Sequence, residues 1–247
     1  MIAGGNPLCF LLLLLSSHSV LSFSMTWSQT WNDILTGGSP RWIVSEMEHK
    51  KTALDHILAN AGKDGPLNIL CPLAGNDMFV KYAWDEGHSI VAIDLVPEAL
   101  ADLRKQFGSD GWVKEEAESK VVWKHQSDRV TLYEGDMLVP VKSLAGSFDV
   151  VYDKDSFGAL DKHLRQAYCE RLSEYVKPGG MIYTEVKNKP EGPGREQGPP
   201  FHVEKEDLME ASSFGGAFEY AKSLGEVYPL KMPGFSQMGH ILKRLPK

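Results

Sequence analysis

Residues 68–95, Asn-Ile-Leu-Cys-Pro-Leu-Ala-Gly-Asn-Asp-Met-Phe-Val-Lys-Tyr-Ala-Trp-Asp-Glu-Gly-His-Ser-Ile-Val-Ala-Ile-Asp-Leu, decide the fold. Asn68 to Cys71 is a short apolar run, Pro72-Leu73-Ala74-Gly75 is a turn by composition, and Met78 to Glu86 reads as a helix. Ser89 to Leu95 is then a continuous apolar run that contains Asp94 at its end. A strand buried on both faces loses the polar alternation of a half-exposed one, and strand, helix, strand in so few residues is a parallel crossover unit.

The same grammar extends in both directions. Pro97 to Phe107 predicts a helix with proline in its first turn. Arg129 to Tyr133, Phe148 to Tyr152 and Met181 to Val186 predict strands, and about Leu164 to Val176 a helix that stops at Lys177-Pro178-Gly179-Gly180. Upstream, Trp27 to Leu35 and about Glu46 to Ala61 read as helices separated by the loop Gly37-Gly38-Ser39-Pro40. Residues 108–128 are polar and read as an insertion with a hairpin ending in Val121-Val122-Trp123. The pattern predicts a three-layer, Rossmann-like α/β sandwich with a mostly parallel central sheet, in one domain without repeats. Residues 188–200 hold four prolines and three glycines, a loop whose length is that of lids and binding loops.

The composition, 43% hydrophobic, 24% charged and 10% aromatic in 247 residues, excludes a disordered, collagenous or coiled-coil chain. A net charge of −7 without a Lys/Arg cluster argues against a nucleic-acid partner. Cys9, Cys71 and Cys169 make no disulfide framework, and Cys71, in a buried strand, is expected to be a free thiol.

Residues 1–24 contain no charged side chain. The apolar run Phe10 to Leu15 is too short to anchor in a bilayer, which needs about 20 residues. It reads as the core of a signal peptide cleaved near Leu21 to Ser24, which would route the domain at residues 25–247 to the secretory pathway or an organelle. The competing reading starts translation at Met25 and leaves the protein in the cytoplasm.

In an open α/β sheet, ligands sit beyond the carboxyl ends of the strands. Those ends offer Leu73 and Gly75, then Asp94, then Asp136 and Met137, then Asp153 and Lys154. Gly75 and Asp94 are 19 residues apart, the spacing of a small-residue turn followed by an acid for ribose hydroxyls. A dinucleotide would want G-x-G-x-x-G against its pyrophosphate; one glycine and an acid suit a cofactor with ribose and adenine but no phosphate, such as S-adenosylmethionine. The turn's backbone would meet the cofactor's amino-acid part, Asp94 its ribose, Asp136 and Met137 its adenine. Each acid taken alone also reads as a helix cap or turn former. No His/Cys/carboxylate group has metal-ligand spacing, so no metal is expected.

Gly135-Asp136, Phe148-Asp149-Val150-Val151-Tyr152-Asp153 and Val176-Lys177-Pro178-Gly179-Gly180 resemble the ordered motifs of class I S-adenosylmethionine-dependent methyltransferases. Trp27-x-x-x-Trp31, Pro72 to Gly75, Gly87 to Asp94, Tyr152-Asp153-Lys154 and Gly198-Pro199-Pro200-Phe201-His202-Val203 resemble, more narrowly, the thiopurine S-methyltransferase family with its thiol and halide branch. The resemblance spans Trp27 to about Leu242. It implies that Trp27, Trp31 and Trp42 wall the cofactor, that Leu73, Gly75, Asp94, Asp136 and Met137 hold it, and that Asp153 and Lys154 stand at the reacting centre. Asp155-Ser156-Phe157-Gly158 departs from the thiopurine-type Arg-Gly-Ala-Leu toward the thiol and halide branch. The expected activity is methyl transfer to a small soft nucleophile, a thiol or other sulfur compound, with halide or thiopurine as alternatives and a non-catalytic cofactor-binding protein as the rival class. A monomer with a small-molecule substrate and no stable membrane insertion is expected.

Several residues carry two readings. The tryptophan pair suits core packing as well as a ligand wall. Lys154 between Asp153 and Asp155 suits an ion-pair network as well as substrate contact, and Glu185 suits a turn cap as well as a pocket wall. His88 reads as structural and His202 as solvated.

Overall fold

A computed structural model describes residues 29–38 and 46–246. The chain forms two units, residues 1–40 and 41–247. In the first, residues 29–35 are helical (α1), and Trp31 on this helix is 4% exposed. Trp27 and Trp42 lie outside the described residues.

The second unit is built on one nine-stranded sheet. Its elements run α2 (Met47–Asn60), β1 (Asn68–Pro72), α3 (Met78–Asp85), β2 (Ser89–Asp94), α4 (Pro97–Lys105), β3 (Trp112–Ala117), β4 (Lys120–His125), β5 (Val130–Glu134) and β6 (Phe148–Lys154). Then come α5 (Ser156–Ala159), α6 (Lys162–Tyr175), β7 (Val176–Asn188), α7 (Lys205–Met209), β8 (Phe218–Pro229) and β9 (Ser236–Arg244). The strand order is β3-β4-β5-β2-β1-β6-β7-β9-β8. The five middle strands, β5, β2, β1, β6 and β7, are parallel. Both flanks are antiparallel: β3 and β4 extend one side, β9 and β8 the other.

Winding proceeds from β1 to β2 to β5 on one side, then returns across β1 to β6 and β7 on the other. Right-handed crossovers put the connecting helices on opposite faces of the sheet once the direction reverses. The side chains of β6 show both faces. Tyr152 stacks on Phe79 of α3 with ring centroids 3.7 Å apart, while the next residue, Asp153, accepts a hydrogen bond from Tyr168 of α6 at 2.9 Å. The α2/α3/α4 face buries Ala53, Leu54 and Ile57 from α2, Phe79 and Val80 from α3, and Leu100 and Leu103 from α4 against Ile69, Ile90 and Val150 of the strands. The reversal between β1 and β6 is the switch point at which this architecture opens a crevice.

Three local features extend or differ from the pattern read along the chain, the first being the expected hairpin. The polar insertion forms β3 and β4, and β4 joins the sheet by pairing with β5 from Val121↔Glu134 to Lys124↔Thr131. Lys177 to Gly180 lie inside β7 as an irregularity: the register skips from Phe148↔Val176 to Val150↔Met181, with Gly179 at φ 76°. Beyond the loop, β8 and β9 complete the sheet, and β8 breaks register three times along its length. At the far edge, β3 exposes every residue after Trp112, including Lys114, Glu115 and Glu116. Cys71 and Cys169 are buried free thiols. No described helix is long and apolar enough to cross a membrane.

Candidate active site

The turn after β1 carries two residues in the left-handed region, Leu73 at φ 47° and Gly75 at φ 54°. Leucine meets steric resistance there that glycine does not, so this turn holds its backbone in a strained shape. The strain is fixed from β2. Gly75 N–H donates to Asp94 Oδ2 at 2.7 Å, Ala74 N–H donates to the Ile93 carbonyl at 3.1 Å, and Val96 N–H donates to Asp94 Oδ1 at 2.8 Å. Burial pushes the Asp94 carboxyl up to about 6, against the pull of the Val96, Gly75 and Leu95 N–H groups. A carboxylate offers about four acceptor positions, and the Gly75, Val96 and Leu95 N–H groups draw on up to three of them. At least one position is left for a ribose hydroxyl, so the acceptor chemistry at this turn fits the ribose of S-adenosylmethionine.

At the end of β5, Asp136 Oδ1 accepts from Leu138 N–H at 2.8 Å and the Asp136 carbonyl accepts from Lys120 Nζ at 2.7 Å, with Met137 buried beside them. Lys120 was not singled out by its sequence; it reaches this carbonyl from β4, a strand whose place in the sheet follows only from its pairing.

Asp153 and Lys154 part company. Asp153 is fully buried toward α6, where Oδ1 accepts from the N–H groups of Ser156 and Phe157 at 3.0 and 3.2 Å and Oδ2 from the Tyr168 hydroxyl. Burial pushes its carboxyl up to about 7, and the negative Asp155 adds to that against the Tyr168, Phe157 and Ser156 donors. Three donors tie it into the turn after β6 and into the α6 layer, so Asp153 is a structural residue and not the catalytic one expected. Lys154 faces the other way, toward α2 and α3, and its ammonium lies 3.0 Å from Asp155 Oδ2. Burial would lower its pKa, but Asp155, followed by Asp77 and Glu185, raises it.

Asp155 itself is buried at φ 58°. Its Oδ1 accepts from Gln237 Nε2 at 2.9 Å and its Oδ2 from Lys187 Nζ at 3.2 Å, while Lys187 Nζ also donates to Gln237 Oε1 at 2.7 Å. The three side chains close a ring that ties β7 and β9 to the β6 turn. Burial alone would raise the Asp155 carboxyl; the Lys154 and Lys187 ammonium groups hold it well below the usual carboxylate range. Next to this ring, Lys50 of α2 is 2% exposed and pairs with Asp77 at 2.8 Å. A lysine spaced with Ala53, Leu54 and Ile57 on the buried stripe of α2 is a readable signal of a buried charge that was passed over. Glu185, on β7 opposite Lys154, accepts from the hydroxyls of Tyr183 and Tyr228 at 2.8 and 2.9 Å.

The Pro/Gly-rich segment is tied down. Phe201 N–H donates to the Gly158 carbonyl at 2.7 Å, Arg195 pairs with Glu204 at 2.8 Å, and His202 Nδ1 accepts from Lys189 N–H at 2.9 Å. The His202 side chain is 7% exposed, so it pins the loop and is not the solvated group expected. His88 is structural as expected, accepting from Leu67 N–H at 3.1 Å.

The sequence of the chain matches the family model Thiopurine S-methyltransferase over residues 24–238. The thiopurine S-methyltransferase of Legionella pneumophila (strain Corby) is 26% identical over 178 residues, 72% of this chain and 77% of the relative. Matches to further relatives of that name span 61 to 64% of those proteins. Among solved structures, the 1,6-didemethyltoxoflavin-N1-methyltransferase of Burkholderia thailandensis, with S-adenosylhomocysteine bound, superposes with a TM-score of 0.62 at 18% identity, covering 94% of this chain and 92% of that one. The cyclase SpnF superposes with a TM-score of 0.63 at 12% identity, covering 92% and 95%. At such identities the superpositions carry the fold alone; the sequence match carries kinship. Because that match runs through the β1 turn, the Asp94 strand end and the β6 turn, the chain belongs to the thiopurine S-methyltransferase family of S-adenosylmethionine-dependent methyltransferases.

Proposed function

We propose that the protein methylates a small soft sulfur nucleophile, a thiol or related compound, with S-adenosylmethionine as donor. The observation that carries this reading is the Asp94 carboxylate, bound to Gly75 N–H at the switch point with an acceptor position left for a ribose hydroxyl. When bound, the cofactor supplies an electrophilic methyl group. Leu73, Gly75 and Asp94 hold its amino-acid and ribose parts, and Asp136 with Met137 its adenine. The remaining work of the chain is to orient the acceptor, exclude water and manage the acceptor's proton. Lys154, with its charge held on Asp155, favours an anionic sulfur beside it.

The test is a panel of bisulfide, aliphatic thiols, iodide and 6-mercaptopurine with methyl-labelled cofactor. Label in the thiol products is the expected result; label in iodide or the thiopurine alone would move the assignment to those alternatives. A second reading is cofactor binding without methyl transfer, since a fold does not by itself fix an activity. Tight calorimetric binding of the cofactor with no label transferred to any acceptor would select it.

Residues 1–24, without a charged side chain, are read as a targeting segment outside the enzyme. Mass spectrometry of the mature N-terminus separates cleavage near Leu21 to Ser24 from a start at Met25. The protein is read as a monomer, which sedimentation equilibrium checks.

A further inference from the structure

Among the described residues, six charges are drawn together at the carboxyl ends of β6 and β7 and the facing turn of β1: Lys50, Lys154 and Lys187 against Asp77, Asp155 and Glu185. Two of the carboxylates hold ammonium groups directly, Asp77 that of Lys50 and Asp155 those of Lys154 and Lys187. Glu185 differs. Its hydrogen bonds come from two phenols, Tyr183 to Oε1 and Tyr228 to Oε2. A carboxylate held by neutral donors can accept a proton without breaking an ion pair. It is also 1% exposed, where an unbalanced charge is costly.

We propose that Glu185, reached through the Tyr228 hydroxyl, is the proton sink for the methyl acceptor, and that it makes the site select acceptors arriving as neutral acids, R–SH, over acceptors arriving as anions. This rests on the reading of the protein as a methyltransferase acting on sulfur. The S–H bond of the acceptor breaks, its proton passes to Tyr228 Oη as the tyrosine proton passes to Glu185 Oε2, and the electron pair stays on sulfur. The charge on Glu185 has then moved to the thiolate, and the cluster, formally balanced before, is left one positive beside it. A neutral acid therefore enters and ionises without adding net charge to a buried site. An anion such as iodide cannot: it leaves the site one negative unless Glu185 takes a proton from solvent at the same time. Tyr228 acts on the acceptor, and Glu185 is a positioning residue for the proton.

Other titratable groups face Glu185 from each packed element. Lys154 and Tyr152 come from β6, Lys50 from α2 and Tyr183 from its own strand. His49 of α2 stacks on the Tyr228 ring at 4.4 Å and His56 on that of Tyr183 at 6.3 Å. Burial raises the Glu185 carboxyl against the opposing Lys154, Lys50, Tyr183 and Tyr228.

The experiment compares the full chain with Glu185→Gln, measuring kcat/KM for an aliphatic thiol and for iodide between pH 6 and 9. Glutamine cannot take the proton and leaves the cluster permanently one positive. The thiol value is expected to fall about 100-fold, while the iodide value holds or rises and loses its decline with pH. Equal falls for both acceptors, or no change in either, would overturn the proposal, since a merely structural glutamate affects both alike. Should the variant not fold by circular dichroism, the wild type decides. Iodide is titrated into the S-adenosylhomocysteine complex by calorimetry in buffers of different ionisation enthalpy. Binding with uptake of one proton at pH 8, or no binding there, is expected; binding without proton uptake overturns the proposal. A wild type that methylates none of the acceptors defeats the parent reading, whereas wild-type turnover with an unchanged thiol-to-iodide ratio in Glu185→Gln defeats this inference alone.

Discussion

Gly75 and Asp94 are joined by a 2.7 Å hydrogen bond from the backbone of one crossover turn to the side chain at the end of the neighbouring strand. The acid thus fixes the strained β1 turn, and the proposed function gives it a second task, accepting from the cofactor's ribose. Asp94→Asn sets an amide N–H against a backbone N–H. The expected loss is about 1–3 kcal/mol of stability together with a fall of at least about tenfold in S-adenosylhomocysteine affinity. Thermal unfolding and calorimetry measure the two. Unchanged affinity would remove Asp94 from the cofactor site.

Asp153 predicts the pH dependence of stability. An unfolded aspartate titrates near 4, whereas burial places Asp153 at about 7 and Asp94 at about 6. Between these values the native state keeps protons that the unfolded chain has lost. Stability therefore falls as pH rises from about 4 to about 7, and the Asp153 and Asp94 contributions are flat above that. Asp155 and Asp149, whose pKa values are lowered, act oppositely: their stabilisation is present above about 4 and is lost as pH falls further. Asp153→Asn keeps an acceptor for Ser156 and Phe157 while the Tyr168 hydroxyl turns to accept. Urea unfolding should show a shallower decline between pH 5 and 7, with the variant ahead of wild type at pH 8 by roughly 1–4 kcal/mol. An unaltered slope would assign the dependence elsewhere.

Lys154 separates stability from turnover. Lys154→Met leaves Asp155 with Lys187 and Gln237, so a loss of roughly 3 kcal/mol is expected without collapse of the ring. With thiols, kcat/KM should drop at least about tenfold, seen in labelled-methyl assays below the new unfolding midpoint. If kcat/KM stays at the wild-type value, Lys154 is a structural cation.

Gly180 marks the irregularity in β7. A methyl group there would sit 2.9 Å from the Asp149 carbonyl and 2.8 Å from the Val176 side chain. Gly180→Ala is expected to lower stability by about 1–3 kcal/mol and to leave S-adenosylhomocysteine affinity alone, because the bulge lies at the entry of the strand and the site at its exit.

What the sequence makes legible here is whatever depends on near neighbours. The strand ends at Gly75, Asp94 and Asp136 follow from apolar runs and turns within a few residues, and the structure brings them to one side of the sheet. The ring of Asp155, Lys187 and Gln237 joins residues 32 to 82 positions apart, and Lys50 meets Asp77 across 27. The Gln237 bonds exist only once β9 is laid against β7, and the Lys50–Asp77 pair only once α2 packs on α3. The final hairpin was itself hard to read, because β8 is largely exposed and irregular, so no clean alternation announces it. Asp153 differs between sequence pattern and structure for a related reason. Neighbouring strand residues point to opposite faces, so adjacency to Lys154 in sequence placed it in a different layer.

The irregularities of β8 and the charges of β3 have a consequence for how copies of this chain meet. An exposed sheet edge is a template on which another strand can crystallise, the first step toward filaments. Here one margin presents Lys114, Glu115 and Glu116, whose charges resist a neighbour, and the other breaks its ladder three times, so that no straight row of donors and acceptors is on offer. A nine-stranded sheet is thereby protected from fibrous growth at both margins, far from the chemistry at its centre.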